Sequence, residues 1–216
     1  MEMSLKLIDL TQTLKPSMPV YPGTEPPIFV KSNTIDDDGF AEKKITMYSH
    51  TGTHVDSPAH MLKEKSTLDQ LDIDTYRGNA FVINVSHLEG KTIEQSFIAQ
   101  FEDEIKKAEF VLFYTGWDER WGSPGYFEDF PVLTVEAAKY LCSLNLKGLG
   151  FDCISVDEVG DTKMKNHKMI FSYNMIIIEN LCHLRSLVGS FIQFSCFPLK
   201  IENADGSPVR AVGMIV

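Results

Sequence analysis

The stretch His50-Thr51-Gly52-Thr53-His54-Val55-Asp56-Ser57-Pro58-Ala59-His60 admits few backbone paths. A helix is excluded by composition: Gly52 and Pro58 break it, and Thr51, Thr53 and Val55 are β-branched. A straight strand explains only part of it. His54 and Asp56 are two apart and would point to one side of a strand. His50, however, would lie about 13 Å from His54 at about 3.3 Å per residue. The two imidazoles can serve one site only if the chain bends between them, and Gly52 is the residue that permits a bend. Pro58 then fixes φ after Asp56 and turns the chain so that His60 can return toward the same place.

The chemistry of the stretch is as constrained as its path. Three of the chain's six histidines and one carboxylate fall within these eleven residues. Imidazole and carboxylate are ligands of Zn²⁺ and similar divalent ions. The helical H-E-x-x-H pattern is absent, because Thr51 stands where its Glu would be. A lone histidine is ordinarily a surface or hydrogen-bonded side chain. Three with an aspartate at this spacing, in a chain otherwise poor in histidine, point to metal binding.

A chain of 216 residues, 44% hydrophobic, suits one domain over residues 1–216 with a full core. No apolar run reaches the ~18 residues of a membrane span, and Met1 to Lys6 carry no apolar signal region. Cys142, Cys153, Cys182 and Cys196 lack C-x-x-C spacing and read as reduced, mostly buried thiols of a cytoplasmic protein. A net charge of −10 argues against nucleic-acid binding.

Leu5 to Leu10 reads as a first strand, followed by a loop from Pro16 to Pro27. Ile28–Val30 and Ala41–Tyr48 read as strands around a turn at Asp36-Asp37-Asp38-Gly39, which lacks the spacing of a Ca²⁺ loop. Asn79–Val85 reads as a buried strand. Thr92 to Gln95 has the form of a capping box, predicting a helix to about Lys107. Glu109–Thr115 is a second apolar strand. Thr134 is placed to cap a helix over Val135–Leu144, with Gly148 as its stop, and Leu149–Asp157 is a third strand. The alternation predicts α/β with part of the sheet parallel. Met175 to Ile178 is an apolar run closed by Glu179. From the residues alone Glu179 is equally a strand end meeting water or a buried carboxylate that needs a partner. His167, beyond a basic stretch, would by itself be read as a surface histidine.

The central stretch resembles the H-x-G-T-H-x-D-x-P-x-H signature of the cyclase-like metal-dependent hydrolases, the family of bacterial kynurenine formamidase and isatin hydrolase, and meets every fixed position. Phe113 to Trp117, Gly150 to Asp157 and the segment from Pro198 to Ala211 also resemble family segments. Tyr21-Pro22-Gly23 matches an aromatic-Pro-Gly step near the substrate, with Tyr21 where kynurenine formamidases have tryptophan. His167 and Glu179-Asn180-Leu181 match a His and a Glu of the same separation.

The resemblance implies a swivelling β/β/α domain built on a mixed sheet flanked by helices. It implies His50, His54 and Asp56 as ligands of one metal, with Asp56 bridging to a second held by His167 and Glu179 where two ions are present. It implies an unliganded His60 as proton donor and acceptor, and Tyr21 in the substrate wall. The histidines favour Zn²⁺, one or two ions, and the carboxylates leave Mn²⁺ open. The activity implied is hydrolysis of a small amide, N-formylkynurenine-like or isatin-like, by metal-activated water, in a homodimer or higher homo-oligomer. His87 and His183 match no motif position and read as structural.

Two other classes compete. A serine or cysteine hydrolase is disfavoured by the lack of G-x-S-x-G and of a cysteine in a reactive setting. A non-catalytic metal-binding or sensor protein is disfavoured by a fourth, unliganded histidine, since binding sites tend to close their ligand shell.

Overall fold

A computed structural model describes residues 6–88 and 90–215. Leu5, the first residue of the expected opening strand, lies outside the described residues, as do Met1 to Ser4. In chain order the strands are β1 (Lys6–Asp9), β2 (Ile28–Asn33), β3 (Glu42–Thr46), β4 (His54–Asp56), β5 (Arg77–Asn84), β6 (Thr92–Ile93), β7 (Phe110–Tyr114), β8 (Val132–Leu133), β9 (Gly148–Phe151), β10 (Ile176–Glu179), β11 (Phe191–Ser195), β12 (Gly206–Pro208) and β13 (Val212–Ile215). The α-helices are α1 (Ile35–Asp38), α2 (Gln95–Ile98), α3 (Glu102–Ile105), α4 (Val135–Cys142) and α5 (Lys165–Ser172).

Among the described residues nine strands form one mixed sheet in the order β1-β13-β11-β5-β7-β9-β10-β4-β12. The apolar runs β5, β7, β9 and β10 are its parallel centre. They are buried on both faces, as their continuous hydrophobicity requires. Phe113 and Phe151 stack across β7 and β9 with ring centroids 5.0 Å apart, beneath Ala137, Ala138 and Leu141 of α4 and Ile170 and Phe171 of α5. The opposite face packs Val82, Leu112 and Ile178 against Leu10, Leu184 and Phe194. Each fully buried Phe, Leu or Ile contributes about 1.5–3 kcal/mol. Thr134 caps α4 by accepting from the Ala137 N–H, as its sequence suggests.

The structure departs from the sequence reading at several elements. Thr92 does not cap a helix. It pairs with Val132 in a two-stranded parallel sheet, Glu94 takes the cap position, and the helix is broken by a 3₁₀ turn over Ala99–Phe101 before α3. Gly148 is not a helix stop but the first residue of β9. A Cβ there would lie 2.7 Å from the Ile176 carbonyl oxygen, so glycine allows β9 and β10 to close. The strand expected over Leu149–Asp157 ends at Phe151, and the rest is mostly bends, of which Ile154 and Ser155 line a cavity. The Asp36–Asp38 turn is a single helical turn, capped by Thr34 and closed by Gly39 at φ +78°. β2 and β3 stand apart from the main sheet as a hairpin with Ile28, Val30 and Ile45 about half-exposed.

Candidate metal centre and active site

The expected bend is present. Gly52 has φ +70°, and a Cβ there would lie 2.4 Å from Leu14 Cδ2. Beyond it the chain enters β4, which lies between β10 and β12. Register then assembles the site: His54 faces Glu179 across β10, and Asp56 faces Gly206 across β12. Pro58 opens a 3₁₀ turn that returns His60 to the same cavity.

All five expected ligand residues and His60 come together. Asp56 Oδ1 lies 2.7 Å from His50 Nδ1 and 3.2 Å from His54 Nε2. Glu179 Oε2 is 3.5 Å from His54 Nε2, and its Oε1 is 3.3 Å from His167 Nε2. The His50 and His60 rings are 3.9 Å apart, centroid to centroid. His54, Asp56, His167 and Glu179 are buried, so neither Glu179 nor His167 is a surface residue. His183 is exposed and its Nδ1 meets the Asp9 carbonyl, while His87 packs edge-on against Phe97, both away from the cluster. All four cysteines are buried free thiols.

Three residues that sequence reasoning missed orient these side chains. Asp157 accepts from the Asn166 and His167 N–H groups at the start of α5, and its Oδ2 lies 2.8 Å from His167 Nδ1, fixing that ring. Asp205 Oδ2 lies 2.9 Å from His50 Nε2 and 3.2 Å from His60 Nδ1. Asn180 donates to the Gly52 carbonyl. The signal for Asp157 was its place at the end of an expected strand. No spacing pattern could join Asp205 to His50 across 155 positions.

The electrostatics of the cluster are set by burial working against close imidazole–carboxylate pairs. Burial opposes the charge on His50, yet Asp56 and Asp205 overcome it and raise its pKa to about 10. His167 is raised to about 10 against burial by Asp157 and Glu179. His54 is raised, against burial, by Asp56 and Glu179. Asp56, despite burial, is held well below the usual carboxylate range by His50 and His54. His60 runs the other way: burial lowers it and keeps it neutral at neutral pH.

Among the cluster's buried carboxylates, Asp56 and Glu179 thus meet only imidazoles, Asp157 meets one imidazole and two main-chain N–H groups, and no described lysine or arginine pairs with any of them. Glu179 Oε1 is buried without a hydrogen bond. Two trios, His50-His54-Asp56 and Asp56-His167-Glu179, each offer ligand atoms within 4.8 Å of one another and share Asp56. An orphaned carboxylate oxygen in a buried donor set of imidazoles and carboxylates, with no lysine or arginine among them, fits a divalent cation. Beside them lies a cavity of about 360 Å³, walled by Tyr21, Thr24, Met61, Ile154, Ser155 and Met164.

Such a cluster, mounted at strand ends of a mixed α/β sheet and opening on an apolar cavity, defines a metal-dependent hydrolase. The chain belongs to the Cyclase family ("Putative cyclase"), whose profile matches residues 8–158. It is 32% identical over 212 residues to a kynurenine formamidase of Bacillus cereus, covering 95% of each chain. The structure of an isatin hydrolase bound to the product analogue thioisatinate is similar, with TM-score 0.89 and 26% identity, over 98% of this chain and 92% of that one. A potential metal-dependent hydrolase with cyclase activity superposes with TM-score 0.79 and 28% identity, over 98% of both chains. No described helix is long and apolar enough to cross a membrane.

Proposed function

We propose that the protein, as one catalytic domain, hydrolyses a small amide carried on an aromatic ring, either an N-formylkynurenine-like aryl formamide or an isatin-like cyclic amide. The observation that carries this is the pair of ligand trios sharing Asp56 beside the cavity. His50, His54 and Asp56 would hold one ion, and Asp56, His167 and Glu179 a second. Zn²⁺ suits the imidazoles and Mn²⁺ the carboxylates. When bound, such an ion acts as a Lewis acid and lowers the pKa of water toward ~7.

The chain's own residues do the rest. Tyr21, Met61, Ile154 and Met164 offer an apolar slot for a flat ring and exclude water from it. Hydrolysis joins a water oxygen to the carbonyl carbon, breaks the C–N bond and delivers a proton to the leaving nitrogen. His60 is the group to carry that proton. Burial keeps it neutral, and Asp205 engages its Nδ1, leaving Nε2 free. Support for the substrate class comes from the formamidase and isatin hydrolase relatives.

A homodimer or higher homo-oligomer is part of the same reading. The β2–β3 hairpin exposes Ile28, Val30, Ile45 and nearby Tyr48, and a two-stranded ribbon is at best marginally stable without a covering partner. Free buried cysteines suit the cytoplasm.

The test is hydrolysis of N-formylkynurenine and isatin side by side, before and after chelation and with Zn²⁺ or Mn²⁺ restored. Loss on chelation and recovery with metal for either substrate is expected. A protein that binds metal but hydrolyses neither an aryl formamide, a cyclic amide nor a lactone would be a metal-binding or sensor protein instead.

A further inference from the structure

We propose that Asp205 is a positioning residue that fixes His50 and His60 through a single carboxylate oxygen. This rests on the roles of His50 and His60 proposed above.

A carboxylate only accepts hydrogen bonds. Its Oδ2 at 2.9 Å from His50 Nε2 and 3.2 Å from His60 Nδ1 therefore places a proton on each of those nitrogens. On His50 this leaves Nδ1, the nitrogen beside Asp56, as the one that can give up its proton and ligate. On His60 it leaves Nε2 as the basic nitrogen. One oxygen thereby sets the tautomer of a metal ligand and of the proton carrier together.

The surroundings build Asp205 for this task. Its other oxygen, Oδ1, accepts from Ser49 Oγ at 3.1 Å. Its carbonyl accepts from the Ser57 N–H at 2.8 Å and from Ser57 Oγ at 3.0 Å, tying it to the segment between Asp56 and Pro58. The next residue, Gly206, has no side chain to block the approach, and the His50 ring occupies that space. A purely structural role fits poorly, because the Asp205 side chain is 44% exposed, and exposed ion pairs contribute little to stability.

The experiment uses full-length Asp205→Ala and Asp205→Asn, each alone and with His60→Ala. Denaturation of the chelated proteins should show only the modest loss expected of a carboxylate that is 44% exposed, small beside the effects on metal and turnover. Chelator competition should show metal binding weakened about 10–100-fold in Asp205→Ala, and less in Asp205→Asn, which keeps one accepting oxygen. At saturating metal, kcat should fall about tenfold or more with KM changed less, and no further loss should occur in the His60→Ala background. Imidazole nitrogen NMR on ¹⁵N-histidine protein should show His60 protonated at Nδ1, and that preference lost in Asp205→Ala. Unchanged metal affinity together with an unchanged His60 tautomer would overturn the proposal, as would a full additional loss of kcat on top of His60→Ala. If the wild-type protein hydrolyses no amide and holds no metal, the functional reading fails, and the His60 tautomer alone still decides whether Asp205 sets it.

Discussion

The Asn180 side-chain amide donates to the Gly52 carbonyl at 2.8 Å, and the same carbonyl lies 2.8 Å from His54 Nδ1. One main-chain oxygen therefore ties the bend before β4 to the residue after Glu179 and sets the face that His54 turns to the cluster. Asn180 is itself held by the Tyr126 hydroxyl, which donates to its Oδ1 at 2.7 Å.

Asn180→Gly removes these bonds without penalising its φ of +57°. It leaves the buried Tyr126 hydroxyl without its acceptor, which should cost about 1–3 kcal/mol in chemical denaturation. Metal affinity should fall as well, because the bend that aims His54 is loosened. A stability within about 0.5 kcal/mol of wild type would show the network to be dispensable.

Gly206→Ala tests close approach. The added Cβ would lie 2.4 Å from His50 Cε1 and 2.6 Å from its Nε2. Gly206 lies in β12 without a positive φ, so alanine fits the backbone and the imidazole must move. Purified Gly206→Ala should fold yet retain less metal by elemental analysis. Full metal content at wild-type affinity would mean that the His50 ring has room to shift.

How much of this site could be read from the chain depends on how local its causes are. The bend at Gly52 and the return at Pro58 were legible, because both follow from the residue's own backbone. Glu179 was legible only as an expensive carboxylate at the end of an apolar run. Its partners His54 and His167 come from a sheet register and a helix that no local pattern encodes. Thr92 misled for the same reason. Its residues form a capping box, but Val132, distant in sequence, captures it into a strand pair. Asp205 carries no motif and acquires meaning only when β12 pairs with β4.

Asp56 and Glu179 should separate by metal count. Asp56 belongs to both trios and Glu179 to one. Asp56→Ala should abolish tight metal binding and activity together. Glu179→Ala should lower stoichiometry while leaving the ion held by His50 and His54. Elemental analysis on folded proteins reads both, and a full complement in Asp56→Ala would refute the ligand set.

The ion-free protein should also respond to pH in a defined sense. His50 and His167 are raised from 6.5 to about 10, so they favour the fold while protonated. Their contribution is fully present below about pH 6.5 and is lost as pH rises through about 10. The melting temperature of chelated protein should therefore decline over that window, whereas metal-loaded protein, in which a cation replaces those protons, should decline less. Metal binding at pH 7 should release protons, read by calorimetry in buffers of different ionisation enthalpy. Binding with no proton release would show that these imidazoles are already neutral.

His60→Ala separates proton transfer from ligation. The ring stands beside His50 and contacts no carboxylate of the two shared trios, only Asp205. The variant should keep its fold and its metal while kcat falls about 10²–10⁴-fold. KM should change less, because the lost interaction belongs to the transition state. The loss should shrink for activated aryl esters, whose leaving groups need little protonation. A lowered melting temperature with kcat nearly intact would reduce His60 to packing against Phe171, whose ring centroid lies 6.4 Å away. Loss of metal together with activity would instead make His60 a ligand, through the trio it forms with His50 and Asp205, and would require another proton carrier. Elemental analysis, thermal melting and steady-state kinetics on this one variant distinguish the three.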